Sequence, residues 1–312
     1  MPQHRTLLRL VQAALALGLL VLVWRLADGA QAMRQLARAE PGWLLAGGLA
    51  LTLQTVLSAL RWQLTAAQLG LGLTWHKAVR EYYLSQVVNQ LLPGGVLGDA
   101  GRAYRSRAAA GLMAAGQAVV FERLAGQIAL FVVLALGFVA TAAVPGGLDW
   151  PGWAFWPVAG LTCAGLVLPV LLRALLQIMP QTSAQPLRRQ IAAFRHAVLA
   201  PPVRARQAGL SLAAALCNIA GFLCCLWAIG VFVPPTSAMV LVPLILLSML
   251  IPLTISGWGL REGAAAALLP LAGASASDGL AASIAFGLVF LAASLPGALW
   301  LLLTSRADVR ES

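Results

Sequence analysis

Apolar segments of about 20 residues recur along this chain from residue 7 to residue 304, with no long polar stretch between them. A helix needs about 20 apolar residues to cross about 30 Å of hydrocarbon, where its backbone must satisfy its own hydrogen bonds. Six segments meet that condition: 7–27, 43–66, 118–144, 153–176, 207–233 and 279–304. Trp24, Trp43, Trp153, Trp156 and Trp300 stand near their ends, where an interfacial belt places aromatic rings. The composition agrees, with 60% hydrophobic and 10% charged residues against about 25% charged in a soluble domain. No water-soluble fold hides that much apolar surface, so residues 1–312 read as one all-α, polytopic membrane domain. The first segment follows Arg5 and Arg9 as a signal peptide would, but Trp24-Arg25-Leu26 replaces a small-residue cleavage site and marks an uncleaved span.

The net charge of +11 would suggest nucleic acid if the basic residues formed a stripe. They flank the apolar segments instead, so no nucleic-acid partner is expected. Cys163, Cys217, Cys224 and Cys225 lie inside apolar runs, without CxxC or Cys/His spacing, and His4, His76 and His196 are far apart. No metal centre and no cofactor is therefore expected. No nucleophile motif stands out, and the expectation is a protein that is not an enzyme.

Two further apolar segments are interrupted by glycine and proline. Tyr82 to Leu92 covers only about half a bilayer at 1.5 Å per residue, and Pro93-Gly94-Gly95-Val96-Leu97-Gly98-Asp99 follows it. Ala238 to Thr254 breaks at Ser256-Gly257-Trp258-Gly259 before Leu260-Arg261-Glu262 restarts a short helix to about Leu271. Both read as re-entrant hairpins, the second alternatively as a span followed by a shorter one. With the N-terminus inside, this topology leaves only Arg25, Arg34, Arg38 and Arg261 of the 21 basic residues for the outer face. That bias puts both termini on the cytoplasmic side. The basic stretch 181–206, with Arg188, Arg189, Arg195, Arg204 and Arg206, becomes a cytoplasmic segment facing anionic head groups. The first half, 1–150, and the second, 151–312, then each hold three spans and a hairpin, which makes them inverted copies. Broken helices at matching positions of inverted repeats point to a transporter's binding site.

At each hairpin the second limb starts within the membrane, near Asp99 and near Leu260, and presents free N–H groups and a positive dipole end. Arg102 and Arg261 fall in or near those first turns, where a cation needs an anionic partner. Asp99 and Glu262 could supply it, closing each tip on itself. Alternatively the guanidiniums and helix ends together form a phosphate or carboxylate site. Gly94, Gly95, Gly98, Gly257 and Gly259 suit either arrangement, since glycine permits tight turns and close backbone approach. Glu122 and Arg123 open the third span and either line the same vestibule or form an interfacial pair. Asn89 and Asn218 lie deep enough to bond across helices or to touch a substrate.

Arg61-Trp62, Tyr83, Asn89, Leu92-Pro93-Gly94-Gly95, Gly98-Asp99 and Arg102, followed by Pro252 to Glu262, resemble two signatures of the lysylphosphatidylglycerol synthase transmembrane-region family, also called UPF0104. The resemblance covers nearly the whole chain. It implies a bacterial inner-membrane protein that translocates lipid, or one that assists lipid or glycan assembly beside a lipid-synthesising enzyme. It does not imply synthesis, which in fusion members belongs to a soluble domain. The expected function is a flippase-like transporter of an anionic or zwitterionic phospholipid or lipid-linked precursor. Its alternatives are a non-transporting scaffold, and an intramembrane transferase with Asp99 or Glu262 as base.

Overall fold

The computed structural model describes residues 2–91, 96–143, 148–250 and 257–308, with side chains described between 14 and 299 of those ranges. Every regular element in them is helical: α1 Pro2–Leu26, α2 Gly29–Ala37, α3 Pro41–Gln68, α4 Trp75–Leu91, α5 Leu97–Ser106, α6 Gly111–Ala143, α7 Gly152–Ile178, α8 Gln181–Leu199, α9 Arg204–Ala228, α10 Pro235–Ser248, α11 Leu260–Leu268 with a 3-10 turn to Ala272, and α12 Ala276–Asp308. Helices α3, α6, α7, α9 and α12 are long and apolar enough to cross a bilayer, and α1 with α2 could make a sixth, bent by 88°. The bend is set by Asp28, which adopts a left-handed conformation and caps α2 by accepting a hydrogen bond from the Gln31 amide.

The packing of α3–α6 maps onto that of α9–α12, while α1, on α11 and α2, and α7, on α6, break the correspondence. Helix α3 packs against α9 at the centre; α4 lies on α12 as α10 lies on α6; α5 joins α4 to α6 as α11 joins α10 to α12. Local chemistry repeats as well. Helices α3 and α9 end at Gly70 and Gly230, both at positive φ (79° and 80°). In each, the next residue's amide, from Leu71 or Val231, donates to a carbonyl five residues back, at Ala66 or Leu226. Such a terminus needs a residue without a Cβ. At the α3–α9 crossing Gly47 faces Gly221, so that a Cβ on Gly47 would sit 3.3 Å from the Gly221 carbonyl oxygen.

Several expectations need correction. The first hairpin limb starts at Trp75, not Tyr82, because Thr74 and its carbonyl receive the amides of Lys77 and Ala78 and open the helix earlier. The polar run His76, Lys77, Arg80, Glu81 conceals that turn from an apolar criterion. The limb expected to run from Ala238 to Thr254 stops at Ser248. Pro252 lacks an N–H, and in a continuing helix its ring would meet the Ser248 carbonyl four residues back. At 14 residues α10 is about 21 Å long, too short to span. The fifth span ends at Ala228 instead of residue 233, at the Gly230 terminus. Gly94 and Gly95, with Ser256 and the rest of 251–256, lie outside the described residues.

The basic stretch after α7 is itself a helix. α8 buries Ala184, Ala197 and Val198, sets Phe194 edge-on to Phe121 at 5.4 Å, and leaves Arg188, Arg189 and Arg195 exposed. One apolar face docks on α6 while the other is basic, as in an interfacial helix.

Candidate functional site

Polar residues at helical spacing on α3, Thr55, Ser58, Arg61 and Thr65, are all buried. A stripe of this kind inside an apolar span must find partners on neighbouring helices. Arg61 finds Glu122 on α6: its Nε and Nη2 donate to Oε1 at 3.2 and 2.5 Å. Glu122 is fully buried and also accepts from Arg102 Nη2 at 2.9 Å and from the Tyr82 hydroxyl at 3.3 Å. It is therefore the hub joining α3, α4, α5 and α6. Arg102, 1% exposed, lies over the rings of Trp62 and Tyr82, whose centroids are 4.7 and 4.5 Å from its guanidinium carbon. Its Nη2 also meets Asp99 Oδ1 at 3.0 Å. Asp99 in turn accepts from the Ser85 hydroxyl at 2.9 Å and pairs with Arg123. Two aromatic rings and two carboxylates hold Arg102 against the cost of burial.

The hairpin closes tightly here. A Cβ on Gly98 would lie 2.0 Å from the Ser85 carbonyl oxygen, so only glycine lets α5 come this near to α4. The Gly98 amide donates to Asn89 Oδ1 at 2.8 Å. At the mouth, Glu81 takes Arg80 at 3.2 Å and Arg105 at 2.5 Å.

The second half builds a smaller version. Arg261 Nε and Nη2 donate to Glu262 Oε1 at 3.1 and 2.6 Å, and Nε also reaches the Ser283 hydroxyl of α12 at 3.0 Å. Glu262 turns its other oxygen onto the Gly259 amide at 2.6 Å, a side-chain closure of the helix start. Gly259 itself sits at φ 87°, a turn conformation suited to glycine. Trp258 and Phe286 lie 5.0 and 5.5 Å from the guanidinium. A glycine makes room for the arginine in both halves: a Cβ on Gly126 would meet Arg61 Nη2 at 2.7 Å, and one on Gly287 would meet Arg261 Nη2 at 2.4 Å.

Both clusters border a single cavity of about 320 Å³. The first half contributes Arg61, Tyr82, Asn89, Asp99, Glu122 and Arg123; the second contributes Asn218, Trp258, Arg261, Phe286 and Phe290. Of the residues singled out from sequence, Asn89, Asp99, Glu122, Arg123, Asn218 and Arg261 are on its wall, while Arg102 and Glu262 stand behind it as partners of wall residues. Gly98, Gly257 and Gly259 shape the turns. Arg102 and Arg261 do have carboxylate partners within the chain, so the self-closed arrangement of the tips is the one found, at the edge of a shared chamber. From sequence Arg61 has no site role, only a place among the inner-face basic residues and in the family signature; its position in a polar stripe within an apolar span is the signal that would have found it.

Four guanidiniums, of Arg61, Arg102, Arg123 and Arg261, face three carboxylates, of Asp99, Glu122 and Glu262. The segments 92–95 and 251–256 add no ionisable side chain. The chamber thus carries an excess of one positive charge where dielectric screening is weak, which favours an anion. Among the described residues no cluster of His, Cys, Asp and Glu suits a metal ion. No curated protein and no solved structure matches the chain. The family model of the lysylphosphatidylglycerol synthase transmembrane region matches residues 9–297, and with nearly its whole length accounted for, the chain belongs to that family.

Proposed function

We propose that this protein is a flippase-like transporter that moves an anionic or zwitterionic lipid across the bacterial inner membrane, with both termini cytoplasmic. The observation that carries the reading is the chamber between the two broken helices, walled by both halves and positive by one charge. A lipid phosphate would complete that balance, with Arg123 and Arg261 as its contacts and Asp99 and Glu262 orienting them. Arg123 is the most accessible of the wall arginines, its side chain 42% exposed against 6% for Arg61 and 3% for Arg261. Near-symmetric halves around one site suit alternating access by rocking of one half on the other. Membrane lipids are the partners in this reading, with a lipid-synthesising enzyme as supplier.

The test is reconstitution of the purified protein in liposomes with a fluorescent phosphatidylglycerol. The protein should accelerate exchange between leaflets, and Arg261→Ala should slow it about ten-fold, as expected for losing one charge-assisted contact. Equal rates for variant and wild type would remove Arg261 from the mechanism. Conversion of the lipid to a new product would favour an intramembrane transferase, and a stable co-purifying enzyme without lipid movement would favour a scaffold.

A further inference from the structure

Beside its charged groups, the chamber's wall mixes neutral hydrogen-bonding side chains with a similar number of apolar ones. Gln54, Gln86, Asn89, Gln90, Gln127 and Asn218 all border it. Three of these amides carry an atom that is buried and has no partner among the described residues: Nε2 of Gln86, Nε2 of Gln90 and Oε1 of Gln127. Gln86 is only 7% exposed, and its carbonyl is held by the Thr55 hydroxyl at 3.0 Å, which directs the amide nitrogen away from that bond. A buried polar atom without a partner is costly, and native proteins keep few of them. Three of them belong to residues on the wall of this cavity, two as donors and one as acceptor. Hydroxyl groups, which donate and accept at once, satisfy such a mixture. Trp258, Phe286 and Phe290 add an aromatic surface on the same cavity, suited to the C–H face of a ring.

The carboxylates speak to what the head group lacks. Asp99 is engaged by Arg102 and Arg123, Glu122 by Arg61 and Arg102, and Glu262 by Arg261 and the Gly259 amide. An ammonium group brought into the chamber would meet carboxylates already paired, among guanidiniums that repel it. A volume near 320 Å³ lies at the small end of ligand sites, which run from about 300 Å³, and admits a head group without its acyl chains.

Resting on the transport reading above, we propose that this site selects a lipid phosphate carrying a neutral polyhydroxylated head group, a polyol or a sugar, and discriminates against one carrying a cationic aminoacyl group. The test is lipid binding by native mass spectrometry on the full chain in detergent. The probes are phosphatidylinositol, a glycosyl polyprenyl phosphate, phosphatidic acid and an aminoacylated phosphatidylglycerol. At least one of the two hydroxyl-rich lipids should bind about ten-fold tighter than the aminoacylated one, and which of them does so tells a glycerophospholipid from a polyprenyl carrier. Gln90→Leu and Gln127→Leu, at half-buried positions that tolerate the change better than Gln86, should each weaken that lipid about five-fold, the worth of one neutral hydrogen bond, with a smaller loss for phosphatidic acid. Equal or tighter binding of the aminoacylated lipid overturns the specificity while leaving transport standing. The preference without any lipid movement in vesicles overturns transport while leaving the specificity standing.

Discussion

The two broken helices solve the same problem by different means. In the first, a buried arginine on α5 is stabilised by residues from three other helices: Trp62 on α3, Tyr82 on α4 and Glu122 on α6. In the second, Arg261 takes its carboxylate from the next residue along the chain, and from α12 the Ser283 hydroxyl and the Phe286 ring but no charge. Ser283 stands four residues before Gly287 just as Glu122 stands four before Gly126. One half has a carboxylate hub where the other has a hydroxyl, so the first network ties helices together and the second is nearly self-contained. A pseudo-symmetric scaffold can thus hold one rigid wall and one wall whose arginine depends less on its neighbours.

Substitution of the hubs is the strongest way to break that comparison. Glu122→Gln leaves two buried guanidiniums short of a partner and should cost about 3–5 kcal/mol, read as a large fall in Tm in detergent. Glu262→Gln orphans one arginine and should cost less, so a larger fall than for Glu122→Gln would reverse the assignment of rigid and self-contained walls. Next come the glycines beside the arginines. Gly126→Ala and Gly287→Ala each force a guanidinium aside and should cost about 1–3 kcal/mol, with Gly287→Ala the more disruptive because its Cβ would be nearer, at 2.4 Å against 2.7 Å. Ser283→Ala removes a hydroxyl that bonds both Arg261 and Glu262 and should cost about 1 kcal/mol while leaving the ion pair in place. The smallest effect belongs to α8: Arg188→Ala with Arg189→Ala should change stability by less than about 0.5 kcal/mol, yet reduce co-sedimentation of a synthetic α8 peptide with anionic vesicles.

The membrane-spanning character and both interruptions were legible because long apolar runs and glycine–proline breaks are local properties. The arginine and carboxylate of each tip were legible for the same reason, lying within a few residues of the breaks. Glu122 was seen as a residue at the start of a span, but its role as a hub was not, because its partners Arg61 and Arg102 come from other helices and 61 and 20 residues away in sequence. The Trp62–Arg102–Tyr82 cluster was hidden for the same reason: only the meeting of α3, α4 and α5 creates it. The bend after α1 and the docking of α8 were missed because both depend on a few residues, Asp28 in one and Phe194, Ala197 and Val198 in the other, set in otherwise polar surroundings.

Backbone meets backbone where Gly47 faces Gly221, and glycines there offer no ridge for the opposing helix to seat against. The tilt between α3 and α9 is consequently governed by what flanks that point, and on one flank lies the arginine-bearing chamber. Whatever fills or empties it therefore bears on the angle between these two helices.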